Sequence, residues 1–153
     1  MSRVIAGIGI PGSGKTTELK AYAATHGYTY ISPDDIRAEI SGDARVQSDM
    51  RAVWEAAYQR LKDALENEKT VVFDATQYKQ EDRRDFCDKA REYGATEIIG
   101  VYFDVPLLVA QERNQARARV VPEHALRRMW KRLQDTPPST EDGFTALVAP
   151  EEL

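Results

Sequence analysis

The amino-acid sequence predicts an α/β fold in which a five-stranded, mainly parallel sheet has helices on both faces. Short apolar segments rich in Val, Ile and Phe alternate along the chain with longer amphipathic segments. This alternation is typical of a parallel sheet, because each return to the same edge of such a sheet needs a long, usually helical, connection. The chain contains no internal repeat, so we expect a single domain over residues 1–153.

The predicted strands are the short, continuous apolar segments, since a strand buried on both faces lacks polar alternation. They lie at residues 4–9, 28–31, 70–73, 97–103 and 144–148. The first of them runs into a glycine-rich turn, which favours a strand followed directly by a helix.

The predicted helices are segments whose apolar residues recur every three or four positions. The longest ends near Asn67 and has an apolar face made of Val46, Met50, Val53, Trp54, Ala57, Leu61 and Leu65. Shorter helices are expected at residues 15–25, 33–40, 80–93 and 106–116 and from residue 122 onwards. Pro106 and Pro122 favour helix starts, and Gly94 favours a helix end.

The composition argues against several classes of protein. Charged residues make up 30% of the chain and no apolar segment is long enough to span a membrane, as in a globular domain. The single cysteine, Cys87, cannot form an internal disulfide, and the N-terminus lacks a signal-peptide pattern, so we expect a cytoplasmic protein. The net charge of −4 disfavours non-specific nucleic-acid binding, although basic residues are concentrated between residues 113 and 132.

Residues 9–16 read Gly-Ile-Pro-Gly-Ser-Gly-Lys-Thr and match the Walker A motif of P-loop NTPases in full. Glycines let backbone amides approach the phosphates of a nucleotide, and the following helix directs its positive end at them. Lys15 is expected to contact the β- and γ-phosphates as a catalytic residue, and the Thr16 hydroxyl to bind Mg²⁺. ATP and Mg²⁺ are therefore the predicted cofactors, with an ATP site made of Gly9, Gly12, Ser13, Gly14, Lys15, Thr16 and Thr17.

A P-loop alone is shared by kinases and by nucleotide-driven switches or NTPases. A switch also needs an aspartate at a strand end for Mg²⁺ and a residue that orients water. Asp74, at the end of a predicted strand, can supply the aspartate. The remaining segments instead favour transfer of the phosphoryl group to an acceptor.

Four further segments carry a resemblance to a known family. Residues 32–37, Ser-Pro-Asp-Asp-Ile-Arg, follow the second predicted strand and form a D-D-x-R element, and residues 74–76 with Arg83 and Arg84 form a D-A-T…R element. Residues 113–122 resemble an arginine-bearing helical lid, and residues 141–144 an E-G-F before a last strand. In this order, from Gly7 to Val148, they resemble the polynucleotide 5′-hydroxyl kinase family of small P-loop kinases.

The resemblance implies a nucleoside-monophosphate-kinase-like fold and transfer of phosphate from ATP to a 5′-hydroxyl polynucleotide end. It also implies that Asp34 is the general base towards the hydroxyl group and that Arg37 grips an acceptor phosphate. The other implied site residues are Asp35 and Thr76 towards the acceptor, Arg113 towards the ATP phosphates and Arg117 as a catalytic contact of the γ-phosphoryl group.

Structural roles remain open for most of these residues. Asp34 or Asp35 can cap the helix that follows them, and Arg37 can be a solvated helix arginine. Other structural alternatives are an ion pair of Arg113 or Arg117 with Glu112 or Asp104 on one helix face, and an exposed helix face for Arg83 and Arg84. Trp54, Trp130 and Cys87 are predicted to be core residues.

The acceptor is also open. The acidic net charge and the lack of an obvious aromatic stacking platform disfavour a long nucleic-acid strand. A small hydroxyl compound is therefore the alternative acceptor, and a nucleotide-gated NTPase or binding module is the further alternative function. The sequence predicts no membrane partner and leaves the oligomeric state open.

Overall fold

The structure is a computed structural model that describes residues 2–41 and 50–153. Its strands are β1 (Arg3–Ile8), β2 (Thr29–Ile31), β3 (Val71–Asp74), β4 (Glu97–Tyr102) and β5 (Ala146–Val148). They form one sheet in the order β2-β3-β1-β4-β5, and every pairing between them is parallel. The prediction of a five-stranded sheet is confirmed, and the described strands are all parallel rather than mainly so.

The helices are α1 (Lys15–His26), α2 (Pro33–Ser41), α3 (Met50–Glu66), α4 (Gln80–Glu92), α5 (Leu107–Gln115) and α6 (Glu123–Asp135), with short 3₁₀ helices at Thr140–Asp142 and Pro150–Glu152. Each lies within a few residues of its predicted bounds. Val46, which the periodicity places on the long helix, lies outside the described residues. Gly94 follows the end of α4 with φ of 108°, a left-handed conformation that stops a helix at little cost to glycine.

Helices cover both faces of the sheet because successive residues of a strand point to opposite sides. On one face, Ile5 of β1 and Val72 of β3 pack with Leu19 of α1. On the other face, Val4 and Phe73 pack in a larger apolar core with side chains from α3, α4 and α6. The apolar side chains of β1 are fully buried on both faces of the sheet. The central strand is therefore held from each side, and its carboxyl end has a defined position.

The carboxyl ends of β1, β2 and β3 meet at one edge of the sheet, as parallel pairing requires. The P-loop follows β1, the Asp34 segment follows β2, and Asp74 ends β3. Three segments that are distant in the sequence therefore converge, and ligands of open parallel sheets bind at this edge.

Arg83 is a structural residue rather than part of an exposed helix face. It is 0% exposed, and its guanidinium donates to the Asp142 carboxylate (2.8 Å) and to the carbonyl oxygens of Gln77 (3.1 Å) and Thr136 (2.7 Å). Arg84 is exposed, so the expected exposed face holds for one of the two arginines. The Arg83 contacts tie α4 to the loop after β3 and to the end of α6.

Candidate active site

The P-loop forms a cavity of about 310 Å³ that is lined by residues 10–17 together with Asp34, Thr76, Arg113 and Arg117. We call it the cradle. Gly12 has φ of 86°, and a Cβ atom there would lie 2.4 Å from the carbonyl oxygen of Ala110, so both conformation and space demand glycine. Gly9 instead packs closely, since a Cβ there would lie 2.9 Å from Ser13 Oγ and 3.0 Å from Phe103 Cβ.

Asp74 lies beneath the cradle and receives three donors. The Lys15 ammonium donates to Oδ1, while the hydroxyls of Thr16 (2.9 Å) and Tyr30 donate to Oδ2. Burial favours the neutral acid, but the charge of Lys15 and these hydrogen bonds outweigh it and lower the pKa of Asp74 below its usual value. Asp74 is therefore ionised at neutral pH, and Lys15 is a buried, paired residue rather than an exposed loop lysine.

The donor set at Thr16 and Asp74 suits Mg²⁺. A hydroxyl and a carboxylate are oxygen ligands, and Mg²⁺ is commonly held by one or two carboxylates together with nucleotide phosphates. Among residues 2–41 and 50–153, no group of three or more His, Cys, Asp and Glu side chains could hold a metal ion without such help. The residues fit an ion that binds together with the nucleotide.

Asp34 lies in the first turn of α2 and is not its cap. The cap is Ser32, whose hydroxyl accepts from the backbone N–H of Asp35 (3.3 Å). Asp35 forms an ion pair with Lys20 (3.6 Å) and lines neither the cradle nor the larger cavity described below. The predicted capping alternative is therefore wrong for both aspartates, and only Asp34 faces the site.

Three guanidinium groups surround the Asp34 carboxylate. Arg37 lies at 2.8 Å, Arg119 at 3.7 Å and Arg117 at 3.8 Å. Arg37 is 5% exposed, so its alternative as a solvated helix arginine is wrong, and its Nε atom is buried with no hydrogen-bond partner. Burial, and then the nearby Arg37, lower the pKa of Arg119. With Arg37 and Arg117 alone, one carboxylate faces two guanidiniums, and this excess of positive charge favours an anion here.

Arg117 and Arg119 come from a bend rather than from a helix face. Helix α5 ends at Gln115, so Arg117 pairs with Asp34 and not with Glu112 or Asp104 as the alternative predicted. The bend is fixed by Asn114, which is fully buried and whose amide exchanges two hydrogen bonds with the backbone of Val121 (2.8 and 3.0 Å). Sequence reasoning missed this residue. Arg113 is on α5 and lines the cradle as predicted.

A second cavity of about 450 Å³ adjoins the cradle, and we call it the acceptor cavity. Lys15, Asp34 and Thr76 line both cavities. The further residues that line the acceptor cavity and bear on its chemistry are Arg37, Trp54, Tyr58, Gln77, Tyr78, Asp82, Asp85 and Lys89. The shared residues place the Asp34 carboxylate at the junction between the two cavities.

The acceptor cavity has an aromatic wall that the sequence did not reveal. Trp54 and Tyr58 of α3 have ring centroids 5.7 Å apart, and Tyr78 follows Gln77 in the loop after β3. All three are half-buried. Trp54 packs against the core as predicted and also lines the cavity, so the three rings form an aromatic wall that the sequence analysis did not find. Trp130 is also half-buried, with its indole N–H donating to the Val105 carbonyl oxygen (3.2 Å), whereas Cys87 is a core residue as predicted.

The positive charge of the basic residues in α6 is largely neutralised by acidic neighbours. The ion pairs are Arg127 with Glu123 (3.3 Å), Lys131 with Asp135 (3.6 Å) and Arg132 with Glu81 (3.5 Å). Positive charge is therefore in excess around Asp34 rather than along α6.

None of the helices within residues 2–41 and 50–153 combines the length and the apolar character that crossing a bilayer needs.

The chain is similar to a curated kinase. The L-seryl-tRNA(Sec) kinase of Methanococcus maripaludis is 28% identical over 138 residues, which cover 84% of this chain and 51% of the kinase. The chain thus spans about half the length of the curated relative that it matches.

Solved structures share the fold. A chain of the Pnkp1/Rnl/Hen1 RNA repair complex superposes with a TM-score of 0.78 at 22% identity, covering 88% of this chain and 45% of that one. A gluconokinase from Sinorhizobium meliloti 1021 superposes with a TM-score of 0.61 at 25% identity, covering 95% of this chain and 80% of the gluconokinase. The seryl-tRNA kinase and the gluconokinase are named for different acceptors.

The model of the AAA domain family AAA_33 matches residues 4–136, which hold the P-loop, the Asp34 segment and the arginine bend. The chain therefore belongs to the AAA_33 family of AAA domains and is a P-loop kinase domain.

Proposed function

We propose that this chain transfers the γ-phosphoryl group of ATP to the 5′-hydroxyl group of a polynucleotide end. The observation that carries the proposal is the set of residues that line both cavities, Lys15, Asp34 and Thr76. A carboxylate at this junction can accept the proton of a hydroxyl group in the acceptor cavity while the hydroxyl oxygen faces a phosphate in the cradle. A switch or NTPase has no need of such a base beside a second cavity.

In the proposed reaction, the acceptor oxygen bonds to the γ-phosphorus, and the bond from that phosphorus to the bridging oxygen breaks to release ADP. The hydroxyl proton passes to Asp34. Lys15 and the P-loop amides hold the phosphates, and Arg113 and Arg117 face the same cavity. An arginine that stabilises the charge of phosphoryl transfer contributes about 10³-fold or more to the rate. Mg²⁺, held through Thr16 and near Asp74, would supply further neutralisation of phosphate charge.

The shape and chemistry of the acceptor cavity support a nucleoside-bearing acceptor. Its volume of about 450 Å³ lies in the range of sites for small organic groups. The rings of Trp54, Tyr58 and Tyr78 offer stacking surfaces, which bind bases irrespective of sequence. Arg37 and Arg119 lie against Asp34, so a phosphate attached to the reacting sugar would meet positive charge there. The RNA repair complex and the seryl-tRNA kinase among the relatives support the same class of acceptor.

A small hydroxyl compound is the second candidate. The observation in its favour is the pair of carboxylates, Asp82 and Asp85, that line the acceptor cavity, because their negative charge opposes the phosphates of a strand. The gluconokinase, which is similar over 95% of this chain, supports this candidate.

The test is a transfer assay with ATP labelled in the γ-phosphate. The acceptors are a 5′-hydroxyl DNA oligonucleotide, the matching RNA, a 3′-phosphorylated nucleoside and gluconate. We expect transfer to the oligonucleotides, weaker transfer to the 3′-phosphorylated nucleoside and none to gluconate. Efficient transfer to gluconate, with the oligonucleotides inert at low salt, would establish the small-molecule kinase instead.

A further inference from the structure

We infer that the acceptor cavity recognises the terminal base of its acceptor through Gln77, and that Asp82 and Asp85 select bases that carry an exocyclic amino group. This inference rests on the proposed function, since it assumes a nucleic-acid end as the acceptor. It adds a base preference that phosphate and sugar contacts alone cannot give.

Gln77 has an unsatisfied side chain in the wall of the acceptor cavity. It is 6% exposed, and both polar atoms of its amide are buried without a hydrogen-bond partner. Burying an amide in this state is unfavourable, and native structures rarely leave such groups unpaired. Both amide atoms are closed off in the structure as it stands, so the Gln77 side chain has to turn towards the cavity to meet a ligand. A ligand that offers one donor and one acceptor would then satisfy both atoms, and the edge of a nucleobase is such a ligand.

The backbone at Gln77 is held in place for this side chain. Its φ is 48°, a left-handed conformation that glutamine adopts at a cost. The carbonyl oxygen of Gln77 accepts from the buried Arg83 guanidinium (3.1 Å), which fixes the residue from below. Arg83 thus acts through Gln77 as a positioning residue and does not itself face the cavity.

The neighbouring groups restrict what the base can be. Trp54, Tyr58 and Tyr78 border the same cavity and favour a planar ring. Asp82 and Asp85 also line it, and an ionised carboxylate only accepts hydrogen bonds, so it binds an amino group and repels a carbonyl oxygen. Lys89 lies on the same wall, with its ammonium over the Tyr58 ring, 5.3 Å from the centroid. The wall is therefore net acidic towards the base.

The amide and the carboxylates have separate tasks. A glutamine amide pairs with the edge of any base, because it offers both a donor and an acceptor. The carboxylates distinguish cytosine, with its N4 amino group, from uracil, with its O4 carbonyl oxygen. We therefore expect cytosine, adenine and guanine to be preferred over uracil at the terminal position.

The experiment uses RNA oligonucleotides that differ only in the 5′-terminal residue, which is cytidine, uridine or an abasic ribose. The wild-type chain should phosphorylate the cytidine end with a kcat/KM about tenfold above that for the uridine end. A difference of this size is near the lower limit for a well-placed base contact. The abasic end should have the lowest kcat/KM. Gln77→Leu should lower the kcat/KM for the cytidine and uridine ends by a similar factor and leave that for the abasic end unchanged. Asp82→Asn with Asp85→Asn should bring cytidine and uridine close to each other. Gln134→Leu, a glutamine that is hydrogen-bonded to Asp104 away from the cavity, is the matched control and should change none of these ratios.

Thermal unfolding separates recognition from a structural role. Replacing an unpaired buried amide by an apolar side chain of similar size should leave the melting temperature of Gln77→Leu equal or higher. A lower melting temperature with the base ratios unchanged would show that a buried water satisfies Gln77, which overturns the inference. Equal phosphorylation of cytidine, uridine and abasic ends by the wild type would also overturn it while leaving the proposed function intact. Failure of every oligonucleotide would instead overturn the proposed function.

Discussion

Asp34→Asn should separate catalysis from binding. The amide keeps the size of the carboxylate and its contact with Arg37, but it cannot take the proton of the acceptor hydroxyl. Loss of a general base typically lowers the rate by about 10²–10⁴-fold, or roughly 2.7–5.4 kcal/mol of barrier. We therefore expect a fall of this size in single-turnover rate at saturating ATP and acceptor.

The structure predicts that other properties change little. The Asp34 side chain is 52% exposed, so its ion pairs are screened and their loss should lower the free energy of unfolding by no more than about 1 kcal/mol. Removing a negative charge beside the cradle should leave ATP affinity equal or slightly higher, because the phosphates then meet Arg37 and Arg117 without the opposing charge of Asp34.

The measurements are a rapid-quench assay for the rate and calorimetry for ATP affinity. Asp35→Asn is the matched control, because Asp35 is a neighbouring aspartate that pairs with Lys20 outside both cavities. Asp35→Asn should keep the single-turnover rate within about threefold of the wild-type rate, a much smaller change than the loss of a general base causes. A larger loss in Asp35→Asn than in Asp34→Asn, or equal rates in Asp34→Asn and the wild type, would refute the assignment of the base.

The other predictions concern charge, stability and access. Lys15→Ala should abolish transfer. It should also raise the pKa of Asp74, because burial then meets less opposition, so the stability that the ionised carboxylate provides at neutral pH, and its loss on acidification, should both be smaller than in the wild type, as unfolding curves measured on acidification from neutral pH would show. Arg37→Ala should lower the salt dependence of the oligonucleotide KM by about one phosphate contact, measured from 50 to 200 mM salt, and an unchanged slope would remove Arg37 from the acceptor site. Arg83→Met should destabilise by about 3–5 kcal/mol and lower the melting temperature by about 6–20 °C, whereas the exposed Arg84→Met should change it little. Burial raises the pKa of the Cys87 thiol to about 12, so a thiol reagent at pH 8 should label native protein far more slowly than protein in denaturant.

The fold was predictable because its signals are local. Continuous apolar segments identified strands such as β3. Apolar residues that recur every three or four positions identified helices such as α3. The Walker A motif then fixed the order of strand, turn and helix at the cradle. Parallel strands place their carboxyl ends together, so the proximity of Asp34 to Lys15 also followed from the sequence.

The walls of the acceptor cavity were not predictable in the same way. Trp54 and Tyr58 occupy the apolar face of α3, and periodicity alone cannot distinguish a residue that faces the core from one that faces a cavity. Gln77 carries no motif, and its importance arises only from unpaired atoms that the surrounding fold buries.

Long-range charge pairing decides the position of Arg83, which the sequence left open. Arginine is rarely buried, so a sequence argument places it on the surface. Its partner Asp142 lies 59 residues further along the chain. Only the fold brings the two together, and the bend that carries Arg117 depends in the same way on Asn114 contacting Val121.

The buried pair of Arg83 and Asp142 has a consequence for how the domain can be shortened. The family match ends at residue 136, but the carboxylate that neutralises Arg83 lies beyond it, in the 3₁₀ helix Thr140–Asp142. A protein truncated after residue 136 would keep the side chains to which we assign catalytic roles, but the Arg83 guanidinium would lose the carboxylate that neutralises it. It would also lose β5, and with it the parallel partner of β4. The minimal unit that folds therefore extends at least to Val148, past the end of the family match.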